Sequence, residues 1–133
     1  MMTMDVQRRY KMPQAFLLIV LTGLCLSCNS TPPIGEEIQQ TALVDGVYTG
    51  SYKGGPNSAE VQVTIQRQNI TDITILKHDA WKGKKAESII PQRIIEQQST
   101  QVDAVTGATN SSYVIMNAVQ RAVEQSYAAN KTP

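Results

Sequence analysis

Cysteine is scarce in this sequence, and both copies lie near one end. Of the 133 residues only Cys25 and Cys28 are cysteine, and none follows residue 28. A domain in the remainder of the chain therefore has neither a disulfide framework nor thiol chemistry. Its stability has to come from an ordinary hydrophobic core.

An excess of charge of one sign is missing too. The chain has 12 Lys and Arg against 11 Asp and Glu, and several of the basic residues belong to the N-terminal segment. Such a balance leaves no electrostatic footprint for nucleic acid, so we expect no nucleic-acid partner. The chain also has no internal repeat and no long low-complexity tract, which favours one small domain.

The N-terminal segment has the pattern of an export signal. Its basic stretch is followed by the apolar run AFLLIVLTGLCLSC, which is too short to span a bilayer comfortably as a helix. Small Ser27 directly before Cys28 resembles a bacterial lipobox, although Cys25 stands where Leu is usual. We expect cleavage after Ser27 and lipidation of Cys28. An uncleaved signal anchor, or a plain secretory leader in which Cys28 is an ordinary thiol, is the alternative.

These features divide the chain into four parts. Residues 1–27 are predicted to be a lipoprotein signal peptide, and residues 28–43, rich in proline and polar residues, a lipidated cysteine with a flexible tether. Residues 44–127 form the predicted domain, and residues 128–133 a C-terminal tail. We therefore expect a lipid-anchored protein of the cell envelope, on the periplasmic or extracytoplasmic face of a membrane.

The first half of the domain has the alternating pattern of β-strands. A first strand is predicted over Gly46–Tyr52, where small, aromatic and hydroxyl residues alternate before a Gly-Gly-Pro turn. The run AEVQVTIQ then places Val61, Val63 and Ile65 on one face. After a short turn at residues 67–69, TDITILKH continues the alternation, so the two runs predict an antiparallel hairpin.

The second half is helical in pattern. A loop is predicted from His78 to about Lys84, followed by a helix over Pro91–Gln98 with the proline in its first turn, or by a helix from Ala86 kinked at Pro91. From Asn110 onward, apolar residues recur at helical spacing on one side. Strands followed by helices predict an α+β domain with a small antiparallel sheet.

The segment DAVTGATNSS, residues 103–112, precedes that last helix and is crowded with hydroxyl groups. Thr109 stands at the expected N-cap position, after Gly107, which permits a tight turn. The next three amides would be unpaired donors of the first turn, and together with the helix dipole they favour a phosphate. A turn that only caps a helix has the same composition, so these residues leave both interpretations open.

The same segment resembles the flavinylation motif D-x-x-S/T-G-A-T of the FMN-binding domain family, which includes flavin subunits of the sodium-pumping NADH:quinone oxidoreductase and its Rnf relatives. DGVYTGSYKGG resembles the opening of small stand-alone members, and ITDITILKH resembles their second strand pair ending in His. The resemblance spans about Asp45 to Glu124. Two departures are Thr106, where Ser is more frequent, and the loop HDAWKGKK, which lacks the acidic residue often found shortly after the His.

The resemblance implies FMN as cofactor, joined through a phosphoester to the Thr109 hydroxyl by a flavin transferase that uses FAD. Other motif residues are then candidates for contact with the phosphate or the transferase. His78 and Trp81 share a loop that combines an ionisable ring with a large aromatic, so they are candidates for the flavin ring, as is Tyr113 in the first helical turn. Capping, core packing or solvation is the competing explanation for each. The motif candidates besides Thr109 are Asp103, Thr106, Gly107, Ala108, Asn110, Ser111 and Ser112.

No catalytic acid, base or nucleophile constellation and no metal-ligand set accompanies the motif. We therefore expect an electron carrier, whose FMN does the chemistry and whose partners are membrane-associated redox proteins. Lys82, Lys84 and Lys85 are expected to be solvated, although a basic cluster can also attract an anionic cofactor. The rival functions are a non-covalent FMN-binding or sensory module and a cofactor-free interaction lipoprotein.

Overall fold

The computed structural model describes residues 37–131, which contain a three-stranded antiparallel sheet, two α-helices and a short 3₁₀ helix at Gln40–Ala42. The strands are β1 (Gly46–Gly54), β2 (Asn57–Gln66) and β3 (Asn69–Asp79), in the order β1-β2-β3. The helices are α1 (Ala86–Gln97) and α2 (Thr109–Asn130). The predicted α+β class is confirmed. The predicted signal peptide, Cys28 and most of the predicted tether lie outside the described residues.

One face of the sheet carries the core, and α2 covers it. Along β2 the residues Ala59, Val61, Val63 and Ile65 are buried, while those between them point outward. β2 pairs with both neighbours in the predicted antiparallel sense, and α2 packs across β1 and β2 while α1 packs against β3 and α2. Neither helix of the described part combines the length and apolar character needed to cross a membrane.

At Gly50 the backbone of α2 approaches β1 directly. A Cβ at this position would lie 2.1 Å from the carbonyl oxygen of Ala118 and 2.5 Å from the amide nitrogen of Ala122. Backbone atoms cannot turn aside as the end of a side chain can, so only glycine fits here. This contact sets the distance between helix and sheet.

The β2–β3 turn is held by a carboxylate that precedes the sheet. Arg67 and Gln68 both have positive φ values, of 52° and 60°, as in the two-residue turns that match the twist of a hairpin. Their amides donate to the two carboxylate oxygens of Asp45, at 2.8 and 3.0 Å. These hydrogen bonds, from Gln68 and then Arg67, lower the pKa of Asp45 below its usual value.

The first helix begins earlier than the favoured interpretation predicts. It starts at Ala86 and ends at Gln97, so Pro91 lies inside it and not in its first turn. Ala86, Ile90 and Ile94 are all fully buried, and burying the first turn of this stripe favours a helix from Ala86 in spite of the hydrogen bond that proline cannot donate. The prediction of a helix starting at Pro91 is therefore wrong.

The fold also extends beyond the predicted limits at residues 44 and 127. Ile38 and Leu43, assigned to the tether, are buried in the core. The amide of Gln39 donates to the Tyr127 hydroxyl at 2.9 Å, which attaches this segment to the end of α2. Residues 128–130, assigned to the tail, continue the same helix. The segment at 38–43 therefore belongs to the folded domain.

Candidate functional site

Three connections meet at one end of the sheet and surround an open groove of about 310 Å³. The β1–β2 turn contributes Pro56 and Asn57, and the β3–α1 loop contributes residues 81–83. The opposite wall is formed by residues 107–111, the turn before α2 and its first residues. Of the predicted site residues, the groove therefore brings together Gly107, Ala108, Thr109, Asn110, Ser111 and Trp81.

Thr109 is the first residue of α2 and not its N-cap, so that prediction is wrong by one position. The cap is Ala108, which makes no side-chain bond and whose carbonyl oxygen accepts the first helical hydrogen bond, from the Ser112 amide at 2.8 Å. The exposed Thr109 hydroxyl makes no hydrogen bond within residues 37–131. Because it caps nothing, this hydroxyl is available to a ligand at the groove.

Ser112 stabilises the turn before α2 from the interior of the domain. Its hydroxyl is buried, donates to the carbonyl of Ala108 at 2.8 Å and accepts from the amide of Val105 at 3.0 Å. The donor is thus occupied and the group faces the interior, away from the groove. We therefore leave Ser112 out of the candidate phosphate contacts and assign it to the geometry of the turn.

Two glycines shape the walls of the groove. Gly107 has a φ of +78°, which favours glycine, in the turn immediately before α2. Gly83 is buried against α2, and a Cβ there would lie 1.7 Å from the Ser111 oxygen. The β3–α1 loop therefore rests directly on the first turn of α2, which is why Ser111 is buried as well as close to the groove.

His78 is not among the residues that line the groove. Its side chain is only 1% exposed, and its Nδ1 lies 2.8 Å from Oε1 of Glu87 in the first turn of α1. Its Nε2 is buried and has no hydrogen-bond partner within the described range. The imidazole thus joins the end of β3 to α1. Sequence reasoning missed Glu87, because the helix start that places it in a first turn was itself mispredicted.

Trp81 stands at the edge of the groove with 94% of its surface exposed. Core packing is therefore excluded as its role, and the ammonium of Lys82 lies 5.7 Å from the ring centroid. Tyr113 is exposed on α2 but does not line the groove, and neither do Asp103 and Thr106. Asp103 instead accepts a hydrogen bond from Arg93 through its main-chain carbonyl.

The groove offers the groups that an anionic oxygen ligand requires. The amides of Thr109, Asn110 and Ser111 precede the first intrahelical hydrogen bond, so they have no acceptor within the helix. They lie at the positive end of the helix dipole. Of the described residues that line the groove, Lys82 is the charged one and none is acidic. This set of donors fits a phosphate group.

The model of the FMN-binding domain family matches residues 53–124, which include every wall of the groove. The chain belongs to the FMN-binding domain family. FMN is accordingly its cofactor, and the hydrogen-bond donors at the groove suit the phosphate of that cofactor. Residues 107–111 of the segment DAVTGATNSS form one wall of the groove.

Three proteins that are similar to this FMN-binding domain protein are much longer than it. An uncharacterized protein of Treponema pallidum is 33% identical over 86 residues, covering 62% of this chain and 24% of its own. NADH:acrylate oxidoreductase of Vibrio harveyi is 32% identical over 93 residues, which cover 67% of this chain and 9% of that protein. Urocanate reductase of Eggerthella lenta is 30% identical over 114 residues, which cover 81% of this chain and 19% of that protein. The chain thus spans less than a quarter of the length of each of these relatives.

A solved structure shares the fold. The CPE2226 protein of Clostridium perfringens superposes with a TM-score of 0.53 at 22% sequence identity, over 68% of this chain and 93% of that one. At this identity the likeness concerns the arrangement of sheet and helices only.

Proposed function

We propose that this FMN-binding domain protein carries its flavin covalently, through a phosphoester on Thr109, and acts as an electron-transfer carrier. The observation that supports this most directly is the state of the Thr109 hydroxyl. It occupies the last position of the D-x-x-T-G-A-T motif, lines the groove, and is not engaged in capping the helix. No capping hydrogen bond at the start of α2 is lost when this oxygen forms a bond.

The attachment is a phosphoryl transfer that leaves every oxidation state unchanged. The Thr109 oxygen forms a bond to the phosphorus on the FMN side of FAD, the pyrophosphate bond breaks, and AMP leaves. The hydroxyl proton needs a base, and no carboxylate or imidazole is found among the described residues that line the groove. The base is therefore contributed by the flavin transferase, the first partner that we propose.

The form of the groove suits a carrier better than an enzyme with an enclosed substrate site. It is open to solvent, and the exposed Trp81 lies at its edge, where its ring can contact the isoalloxazine. A flavin held there stays accessible to a second protein. When bound, FMN supplies one- and two-electron chemistry, while the chain holds and orients it.

Export and anchoring complete the proposal. We propose lipidation at Cys28 and a place in a membrane or extracytoplasmic redox chain, with membrane-associated redox proteins as electron donor and acceptor. NADH:acrylate oxidoreductase and urocanate reductase are redox enzymes by name, and the region shared with this chain is a small part of each. This supports an electron-supplying role for the shared domain.

Full-length protein produced with a flavin transferase in an exporting host tests the covalent bond. Denatured wild type should fluoresce on a gel and gain the mass of FMN less water on the peptide that contains Thr109. Thr109→Ala should lose both signals, while Thr49→Ala, a matched change at an exposed position of β1 outside the motif and the groove, should keep them. Flavin that Thr109→Ala retains without a mass gain would support the non-covalent alternative. Unmodified wild type, with a transferase that labels another substrate, would refute the covalent proposal.

A further inference from the structure

Lys85, the last residue of the β3–α1 loop, reaches across to the turn before α2. Its ammonium nitrogen lies 3.5 Å from the position that a Cβ on residue 107 would occupy. Within residues 37–131 this ammonium has no carboxylate partner and no hydrogen bond, and the residue is exposed. A positive charge therefore stands beside the Gly107 turn with no anion of the fold to balance it.

The absent side chain at residue 107 makes this approach possible. Gly107 adopts a φ of +78°, and the space above its α-carbon is occupied by nothing closer than the end of the Lys85 side chain. Gly107 lies two residues before Thr109, so the ammonium lies beside the turn that leads into the unpaired amides at the start of α2. A tetrahedral anion between them would meet hydrogen-bond donors on one side and a full positive charge on the other.

We propose that Lys85 is the counter-ion of the flavin phosphate, an inference that rests on attachment at Thr109. A phosphodiester carries one negative charge, and a single ammonium balances it. The neighbouring lysines are placed differently. Lys82 lines the groove and has its ammonium over the Trp81 ring. Neither Lys84 nor Lys85 lines the groove, and of these two it is Lys85 whose ammonium lies at the Gly107 turn.

The fold does not depend on this side chain. Although Lys85 is the N-cap residue of α1, it makes no side-chain capping bond there. Its contribution to the helix start is a main-chain carbonyl, which accepts a weak hydrogen bond from Ser88 at 3.4 Å. Substitutions that shorten or neutralise the side chain leave that carbonyl in place, so Lys85→Gln should unfold at the same temperature as wild type.

The test uses the flavinylated full-length protein and the phosphorus-31 signal of its phosphodiester. Lys85→Gln should shift that signal, and Lys85→Arg, which keeps the charge, should leave it closer to wild type. Lys84→Gln is the matched control, because it removes the same charge one residue away, and it should leave the signal unmoved. In the attachment reaction Lys85→Gln should slow labelling about two- to fivefold, the range for one exposed charge contact.

Two results would overturn the assignment. One is a phosphorus signal and a labelling rate that are unchanged in Lys85→Gln. The other is an equal effect of Lys84→Gln, since this would show a general influence of charge in the loop and no specific contact. Failure of the covalent proposal looks different, because wild type itself would then carry no phosphodiester signal.

Discussion

Gly83→Ala is expected to separate the β3–α1 loop from the first turn of α2. The new Cβ would lie 1.7 Å from Oγ and 2.3 Å from Cβ of Ser111. Rotating the Ser111 hydroxyl relieves the first contact but not the second, because that Cβ is fixed to the helix. Carbon atoms in contact are about 3.5–4.0 Å apart, so the loop has to move by more than about 1 Å.

Overpacking of this kind costs about 1–3 kcal/mol. For a domain of this size, a loss of about 2 kcal/mol lowers the unfolding temperature by roughly 8–16 °C. Thermal and urea unfolding followed by circular dichroism would measure the effect. Because Trp81 and Lys82 move with the loop, flavin attachment should slow as well.

A double-mutant cycle with Ser111→Gly assigns the cause. Ser111→Gly removes both clashing atoms and by itself costs about 0.5–1 kcal/mol in helix propensity. The double variant should be more stable than the sum of the two single changes by about 1 kcal/mol or more. Gly54→Ala is the control for the glycine-to-alanine change itself, because Gly54, like Gly83, has no positive φ, and its added Cβ would meet no atom closer than 3.2 Å. Strictly additive changes, or a Gly83→Ala variant as stable as wild type, would refute the proposed contact.

Further predictions concern the turn before α2 and the β2–β3 turn. Ser112→Ala leaves the buried amide of Val105 without its acceptor and should destabilise the domain by about 1–3 kcal/mol in urea unfolding. Ser88→Ala, at an exposed position of α1, is the control and should have little effect. Equal losses of stability in the two variants would contradict the role given to Ser112. The lowered pKa of Asp45 means that its contribution to stability is present above its unfolded value of 3.8 and is lost as the pH falls through the lower folded value. Asp45→Asn should therefore weaken the fall in stability with acid, and an unchanged pH dependence would show that the carboxylate does not hold the turn.

The strands and the last helix could be predicted because each has one buried face. Val61, Val63 and Ile65 alternate as the sheet requires, and the apolar stripe of α2 follows helical spacing. The family motif predicts a site at the start of that helix, and residues 107–111 of the motif segment line the groove there. Local patterns of this kind are visible in a single stretch of sequence.

The wrong predictions concern positions at which contacts between residues distant in sequence decide the local structure. Local rules favour Pro91 in a first turn, but the burial of Ala86 against the rest of the fold extends the helix. No rule of spacing separates Ser111 from Ser112, because their roles depend on Gly83 and on Val105. His78 was predicted near the flavin ring, whereas Glu87 draws it to α1.

The attachment of residues 38–43 to the end of α2 determines how far the start of the described chain lies from Thr109. Gln39 is hydrogen-bonded to Tyr127 near the C-terminal end of α2, whereas the groove lies at the N-terminal end of the same helix. A helix of 22 residues is about 33 Å long. The described chain therefore begins about 30 Å from Thr109, and a flavin carried on Thr109 would lie at the end of the domain remote from residue 37.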